Sequence, residues 1–263
     1  LIEDKKLSQD MGMRGRKIIE EKFSSQTMTE KFQNVFESLL SDRKVAFIFS
    51  QFPCYDETFI LREMSKLQAT GLRLEIYSLK SPKDKIVHEE AKGLIQKTSY
   101  FPFFSLKLLG YDLFFLFRHP DRYLSAFFTA TIGNLRSLNF FLKTCALWYK
   151  AIGFAWLARK QKITHVHGEW ATYPATVAFI ISKLNNIPFS FTGHAHDIYL
   201  DTTMLSYKLR VAKFIVTCTE NNKRHLLELA PRSQRPKVPS EKIVVSYHGV
   251  DLEKFKREVP TSQ

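Results

Sequence analysis

The sequence predicts an α/β protein built on a doubly wound parallel sheet, with a helical segment ahead of it. Three observations carry this. Short, continuously apolar runs recur along the chain: KVAFIFS at 44–50, RLEIYSL at 73–79, ITHVH at 163–167, PFSFT at 188–192, FIVT at 214–217 and IVVSY at 243–247. Uninterrupted apolar runs are how strands buried on both faces read. Helix-like segments separate the runs, which is the alternation of a parallel sheet with crossover helices. Polar clusters follow the runs, and open α/β sheets bind ligands outside the carboxyl ends of their strands.

The elements are justified in order. Residues 13–40 read as helical, since Phe32, Val35, Phe36 and Leu39 form a 3,4-spaced stripe and Thr27 to Glu30 has the form of a capping box. The first strand, 44–50, is followed by Asp56 as N-cap of a helix over 57–70 that Gly71 ends. After the strand at 73–79, residues 84–161 read as helices throughout. The strand at 163–167 leads to a helix opened by Pro174, and the strand at 188–192 to a helix near 203–212. The strand at 214–217, a helix over 220–229 and the strand at 243–247 complete the alternation.

Composition narrows the function classes. Of 263 residues, 44% are hydrophobic and 25% charged, which excludes a disordered or collagen-like chain. Cys54, Cys145 and Cys218 are far apart, without C-x-x-C, which excludes a disulfide scaffold and a cysteine zinc finger and points to a reducing compartment. The start, LIEDKKLSQDMGMRGRK, has no apolar signal core and reads as a cut from a longer chain. The stretch 123–135 falls short of the roughly 20 apolar residues of a spanning helix, so none is predicted. The net charge is +13, with +7 in 101–163, −2 in 164–205 and +6 in 206–263. Such a surplus suggests nucleic acid, but no RNP, zinc-finger or helix-turn-helix pattern accompanies it, so no nucleic-acid partner is expected. Residues 101–163 instead interleave Lys and Arg with Phe, Leu, Trp and Tyr, as helices on an anionic membrane surface do. A buried helical hairpin with snorkelling Lys and Arg reads the same way.

Five polar clusters sit at predicted strand ends: Gln51 to Glu57, His167-Gly168-Glu169, Thr192 to Asp197, Thr219-Glu220-Asn221 and His248-Gly249-Val250-Asp251. They converge on one crevice, which predicts a binding site. Two chemistries suit them. His165, His167, His194, His196 and Asp197 have the spacing of ligands in zinc hydrolases. Strand alternation, however, puts His165 and His167 on one face, His165 reads as a core histidine, and only His225 and His248 remain downstream. No bound metal is therefore expected. The other chemistry is recognition of sugar hydroxyls by neutral histidines, with Glu169 or Asp197 as acceptor or base. Trp170 and Tyr173 suit stacking on a sugar face; Trp170 suits interface packing equally.

In order, FPCYDETFILREMSKLQATGLRLEIYSL, HVHGEWATYPATVA, FTGHAHDIY, AKFIVTCTENNKRHL and KIVVSYHGVDLEKF resemble the N-terminal, acceptor-side domain of GT-B glycosyltransferases of family 4. The similarity is to the bacterial exopolysaccharide and lipopolysaccharide branch, with its F-P-x-x-S-E-T-F motif, and covers residues 44–256. Residues 1–40 resemble the last helices of that family's C-terminal domain, L-x-x-D…M-G-x-x-G-R…F-S…L-L. The resemblance implies a tail of a preceding enzyme at 1–42, a Rossmann-like acceptor-side domain at 43–250 and the start of an interdomain linker at 251–263. It also implies retaining transfer from a nucleotide-sugar donor to a glycan or lipid-linked acceptor, with no cofactor and no essential metal. The protein would be cytoplasmic and peripheral at the inner face of the plasma membrane. His194, in the T-x-H element, would contact the donor sugar with Asp197 beside it, as the catalytic pair. His167, Gly168, Glu169 and Trp170 would lie by the acceptor, and Gly193, Glu57, Glu220, His248 and Gly249 would line the cleft. Glu57, Thr58 and Glu220 also read as ordinary helix N-terminal carboxylates and caps, and Asp56 stands where the family has Ser, which is an equally good N-cap. The family's nucleotide-holding C-terminal domain has no counterpart in this chain, so an acceptor-side half that needs its partner domain for turnover is expected. The alternatives are a non-catalytic sugar- or lipid-binding module and, behind it, a zinc-dependent hydrolase.

Overall fold

The computed structural model describes residues 4–40, 44–54, 58–82, 92–103, 105–133, 138–200, 202–229, 238–250 and 252. Seven strands form one parallel sheet: β1 (Lys44–Gln51), β2 (Arg73–Lys80), β3 (Thr98–Tyr100), β4 (His165–Glu169), β5 (Phe189–Gly193), β6 (Ile215–Thr217) and β7 (Ile243–Val245). Their order is β3-β2-β1-β4-β5-β6-β7. The chain therefore runs outward from β1 in one direction and resumes at β4 in the other, and the carboxyl ends of β1 and β4 flank the point of reversal where ligands of such sheets bind. The helices are α1 (Lys5–Lys22), α2 (Ser25–Leu40), α3 (Thr58–Ala69), α4 (Lys92–Ile95), α5 (Leu106–Arg118), α6 (Pro120–Ile132), α7 (Leu138–Lys160), α8 (Tyr173–Asn185), α9 (Ala195–Tyr199), α10 (Leu205–Val211) and α11 (Glu220–Leu229). This is the doubly wound, Rossmann-like α/β architecture that the alternation predicts.

Both sheet faces are dry because successive strand residues point to opposite sides. Ala46, Ile48, Tyr77, Leu79, Val166, Phe191 and Ile215 pack against α5 to α8, α10 and α11. Val45, Phe47, Phe49, Leu74, Ile76 and Val216 pack on the other face against Phe32 of α2 and Ile60, Leu61, Met64 and Leu67 of α3. The helix α3 stops at Gly71, whose φ of 89° is the left-handed conformation open to glycine.

Three local expectations are corrected. Residues 84–161 are not helical throughout: Thr98–Tyr100 adds β3 beside β2, pairing Thr98 with Ile76. Three half-buried residues, TSY, leave no apolar run to read. The strand expected at 163–167 begins at His165, with Thr164 N–H donating to Lys44 O at 2.9 Å before the ladder starts. The N-cap of α2 is Ser24, whose Oγ accepts from Thr27 N–H at 3.0 Å, and not Thr27. The proposed cap Asp56 lies outside the described residues.

The N-terminal segment divides into two unlike helices. No residue of α1 is buried. By contrast, α2 is docked: Phe32 and Met28 are buried, and Lys66 of α3 donates to Ser25 Oγ at 2.7 Å. Its start is stitched to the far end of the chain, Val250 N–H donating to Phe23 O at 2.8 Å and Ser25 N–H to Val250 O at 2.9 Å. A Cβ on Gly249 would stand 2.4 Å from Ser25 Cα, so only glycine permits that approach. The side chains of Val35, Phe36 and Leu39 lie outside the described residues.

The basic segment 101–163 has an inward and an outward apolar face. Phe115, Ala126, Ala130, Trp148 and Ala151 turn inward to the core, and Leu108 is buried. Outward, α5 exposes Leu106, Leu109, Leu113 and Phe117, and α6 exposes Leu124, Phe128 and Ile132. Among the described residues no helix is long and apolar enough to cross a membrane.

Candidate functional site

The site begins with the alternation of β4, which places His165, His167 and Glu169 on one face of the strand. All three are buried. Ser190 Oγ on the neighbouring β5 lies 2.6 Å from His165 Nε2 and 2.7 Å from His167 Nδ1. His167 Nε2 is 2.9 Å from Thr192 Oγ1 and 3.4 Å from Glu169 Oε2. His165 also stacks on Phe214, ring centres 5.5 Å apart, which makes it the core histidine expected of it.

Glu169 ends the strand, 1% exposed, with Oε1 3.2 Å from Nε2 of His194. Burial works to raise its pKa. Hydrogen bonds from His167 and His194, and their charge, outweigh that and hold the carboxyl below the usual range. For His194 burial opposes the charged form, yet hydrogen bonds to Cys218 and Glu169, with the charges of Glu169 and Asp197, hold the ring up to about 10. The imidazole expected to act in its neutral form is thus a cation at neutral pH, paired with a carboxylate. Beneath the pair Glu63 of α3 is buried, its acidity weakened first by burial and then by the Glu169 charge, with His194 opposing.

His194 is held from its backbone side too. It caps α9, and its N–H donates to Asp197 Oδ1 at 2.7 Å, while the other Asp197 oxygen accepts Ala171 N–H. Asp197 is 1% exposed; burial raises its pKa to about 6 against the hydrogen bond from Ala171. With both oxygens accepting from backbone N–H groups, it braces the β4 and β5 loops against each other. Lys208 of α10 completes the brace, donating to Ala171 O at 2.7 Å and Thr172 O at 2.9 Å. Burial, opposed by Asp197, lowers its pKa to about 7.

Trp170, with a φ of 84°, sets its ring 4.4 Å from that of His194. Phe59 of α3 sets its ring edge-on to that of His194 at 5.5 Å. The His248 ring stacks on that of His194, 5.5 Å away with 10° between the planes, and lies 4.5 Å from Phe59. Cys218, just past β6, completes the group. Hydrogen bonds to its sulfur from His194 and then His248 outweigh burial and hold the thiol down to about 6.

Glu169, Trp170, His194 and His248 come together at the carboxyl edge of the sheet, with Glu169 and His194 buried and His248 exposed. His167 lies beneath, gripping Glu169. Gly168 and Gly193 serve packing: a Cβ on Gly168 would meet Ala175 Cα at 2.6 Å, and one on Gly193 would meet Ile198 Cγ2 at 2.9 Å. Gly249 belongs to the α2 junction. Glu220 is exposed in the first turn of α11, as a helix N-terminal carboxylate. His196 is exposed and His225 stacks on Tyr199 at 4.0 Å, so neither joins a ligand set with His194. Tyr173 packs on the core with Lys143 Nζ 5.6 Å from its ring centre. Glu57 and Asp251 lie outside the described residues.

Cys218, Glu63, Phe59 and Lys208 were not anticipated. Two had legible signals. Cys218 directly follows FIVT and so obeys the strand-end rule, and Glu63 falls on the apolar stripe of α3 formed by Ile60, Met64 and Leu67.

No protein-family model matches the chain, and no curated protein matches it in sequence. Among solved structures it is similar to Anabaena Alr3699/HepE in complex with UDP-glucose, at 13% identity and a TM-score of 0.45, over 82% of this chain and 46% of that one. The chain thus spans less than half the length of that protein.

Proposed function

We propose that this chain is the acceptor-side half of a retaining glycosyltransferase that moves a sugar from a nucleotide-sugar donor to a glycan or lipid-linked acceptor in bacterial surface polysaccharide synthesis. The observation that carries the reading is the His194–Glu169 pair at the carboxyl edge of the sheet, walled by Trp170 and Phe59. A cationic imidazole donates charge-assisted hydrogen bonds to sugar or phosphate oxygens. Glu169 keeps it charged, and the Trp170 face offers an apolar platform for a sugar ring. The ordered motifs that resemble family 4 enzymes support the same assignment, with no metal needed for the transfer.

In this reading residues 1–42 are the tail of a preceding enzyme, 251–263 begin a linker, and a second domain holds the nucleotide. The exposed stripes of α5 and α6, flanked by Lys107, Arg118 and Arg122, rest on an anionic membrane at the cytoplasmic face, where a lipid-linked acceptor resides.

The reading is tested by titrating the chain with methyl glycosides and following the indole N–H signals, Trp170 being assigned through Trp170→Phe. A saturable shift of the Trp170 signal that His194→Ala removes supports it. Shifts confined to Trp148 and Trp156, or none up to high millimolar sugar, overturn it.

A further inference from the structure

We infer that His194, Cys218 and His248 form a binding site for a soft first-row divalent cation, Zn²⁺ foremost. One donor atom from each of the three lies within 4.8 Å of those of the other two. Tetrahedral Zn–N bonds of about 2.0–2.1 Å and Zn–S bonds of about 2.3 Å bring such donors to ~3.5 Å of one another. Closing the set thus takes about an ångström of side-chain movement.

The fold supplies this spacing. The three residues follow β5, β6 and β7, adjacent parallel strands ~4.8 Å apart. The site also has the surroundings that metal histidines require. Glu169 is hydrogen-bonded to the His194 ring and Asp197 to its backbone, an outer shell of carboxylates that fixes the ligand's orientation. Phe59 and Trp170 pack on the rings and limit their rotation. His248 is exposed and Cys218 half-buried, so an ion approaches the buried His194 from the solvent side of the group. Two imidazoles and a thiolate select Zn²⁺, Co²⁺ or copper over Mg²⁺ or Ca²⁺. On binding, His194 gives up the ring proton on its coordinating nitrogen, and Cys218 any proton on its sulfur, to solvent as the N–metal and S–metal bonds form.

The inference rests on ligand geometry alone and stands whether or not the site binds sugar. If the sugar reading holds, the cation competes for His194 and acts as an inhibitor, not as a cofactor of the transfer.

Co²⁺ added to the metal-free chain provides the test, since a cobalt–thiolate bond gives a near-ultraviolet charge-transfer band. The expected result is a band that saturates at one equivalent and is displaced by Zn²⁺. It should vanish in Cys218→Ser, and His248→Ala, at an exposed position, should weaken binding at least tenfold. No band at one equivalent overturns the inference. So does a band that survives in folded Cys218→Ser, which would place the ion on Cys54 or Cys145. Should Cys218→Ser not fold, His248→Ala decides: undiminished Co²⁺ affinity there rejects the site.

Discussion

Glu169 and His194 form a buried pair in which each residue sets the other's charge. Removing the carboxylate charge while keeping its shape, as in Glu169→Gln, should lower the His194 pKa by more than one unit, read from imidazole proton shifts against pH. An unmoved titration would mean that His194 does not depend on Glu169. The stability consequence has a definite sign. Because the His194 pKa is raised from 6.5 to about 10 in the folded chain, its contribution is fully present below about pH 6.5 and is lost as pH rises toward 10. Glu169→Gln should therefore unfold at lower denaturant than the parent chain at pH 7, by about 1–3 kcal/mol for a charged buried hydrogen bond. That gap should narrow steadily up to pH 10. The site residues were legible where strand-end position alone placed them, as for His194, Glu169 and His248. What was not legible was which way each residue faces: His167 and Asp197 read as cleft groups because no local pattern tells that Ser190, Thr192 and two backbone N–H groups already engage them.

Among the elements, α1 and α2 make opposite predictions although they are adjacent. Deleting residues 1–22 removes no buried side chain among the described residues and should leave the melting temperature within about two degrees of the parent. Deleting 1–40 also removes buried Phe32 and Met28, each contributing about 1.5–3 kcal/mol, and should lower it by several degrees. An unchanged midpoint for the longer deletion would make α2 a passenger. The same junction is probed by Gly249→Ala, whose new methyl collides with the Ser25 backbone; overpacking of this kind costs about 1–3 kcal/mol. The longer strands were readable because burial on both faces writes an unbroken apolar run. The edge strand β3 was not, since three residues on a sheet margin need no such run. The turn of helix at α9 was hidden for a related reason: His194 and Asp197 hold it through a capping contact that resembles a polar loop in sequence.

For the whole molecule, the proposed membrane partner is tested through charge and apolar surface. Binding to anionic vesicles should fall steeply as salt rises, because Lys and Arg near such a surface contribute about 1 kcal/mol each within a Debye length. Phe117→Glu, on the exposed stripe of α5, should weaken it further at fixed salt. Binding indifferent to salt and to that substitution would remove the membrane from the account. Free nucleotide sugar, by contrast, should not bind the chain at tens of micromolar, since the proposed reading assigns the contacts that grip the phosphates to a second domain. The central claim is that His194 serves sugar transfer, and it is met most directly by measuring transfer from nucleotide-sugar donors in the full-length protein that carries this chain. The account predicts turnover that falls by about 10²–10³ in His194→Ala, the loss typical of removing one preorganised donor, with the protein still folded. Undiminished turnover in that variant would contradict it.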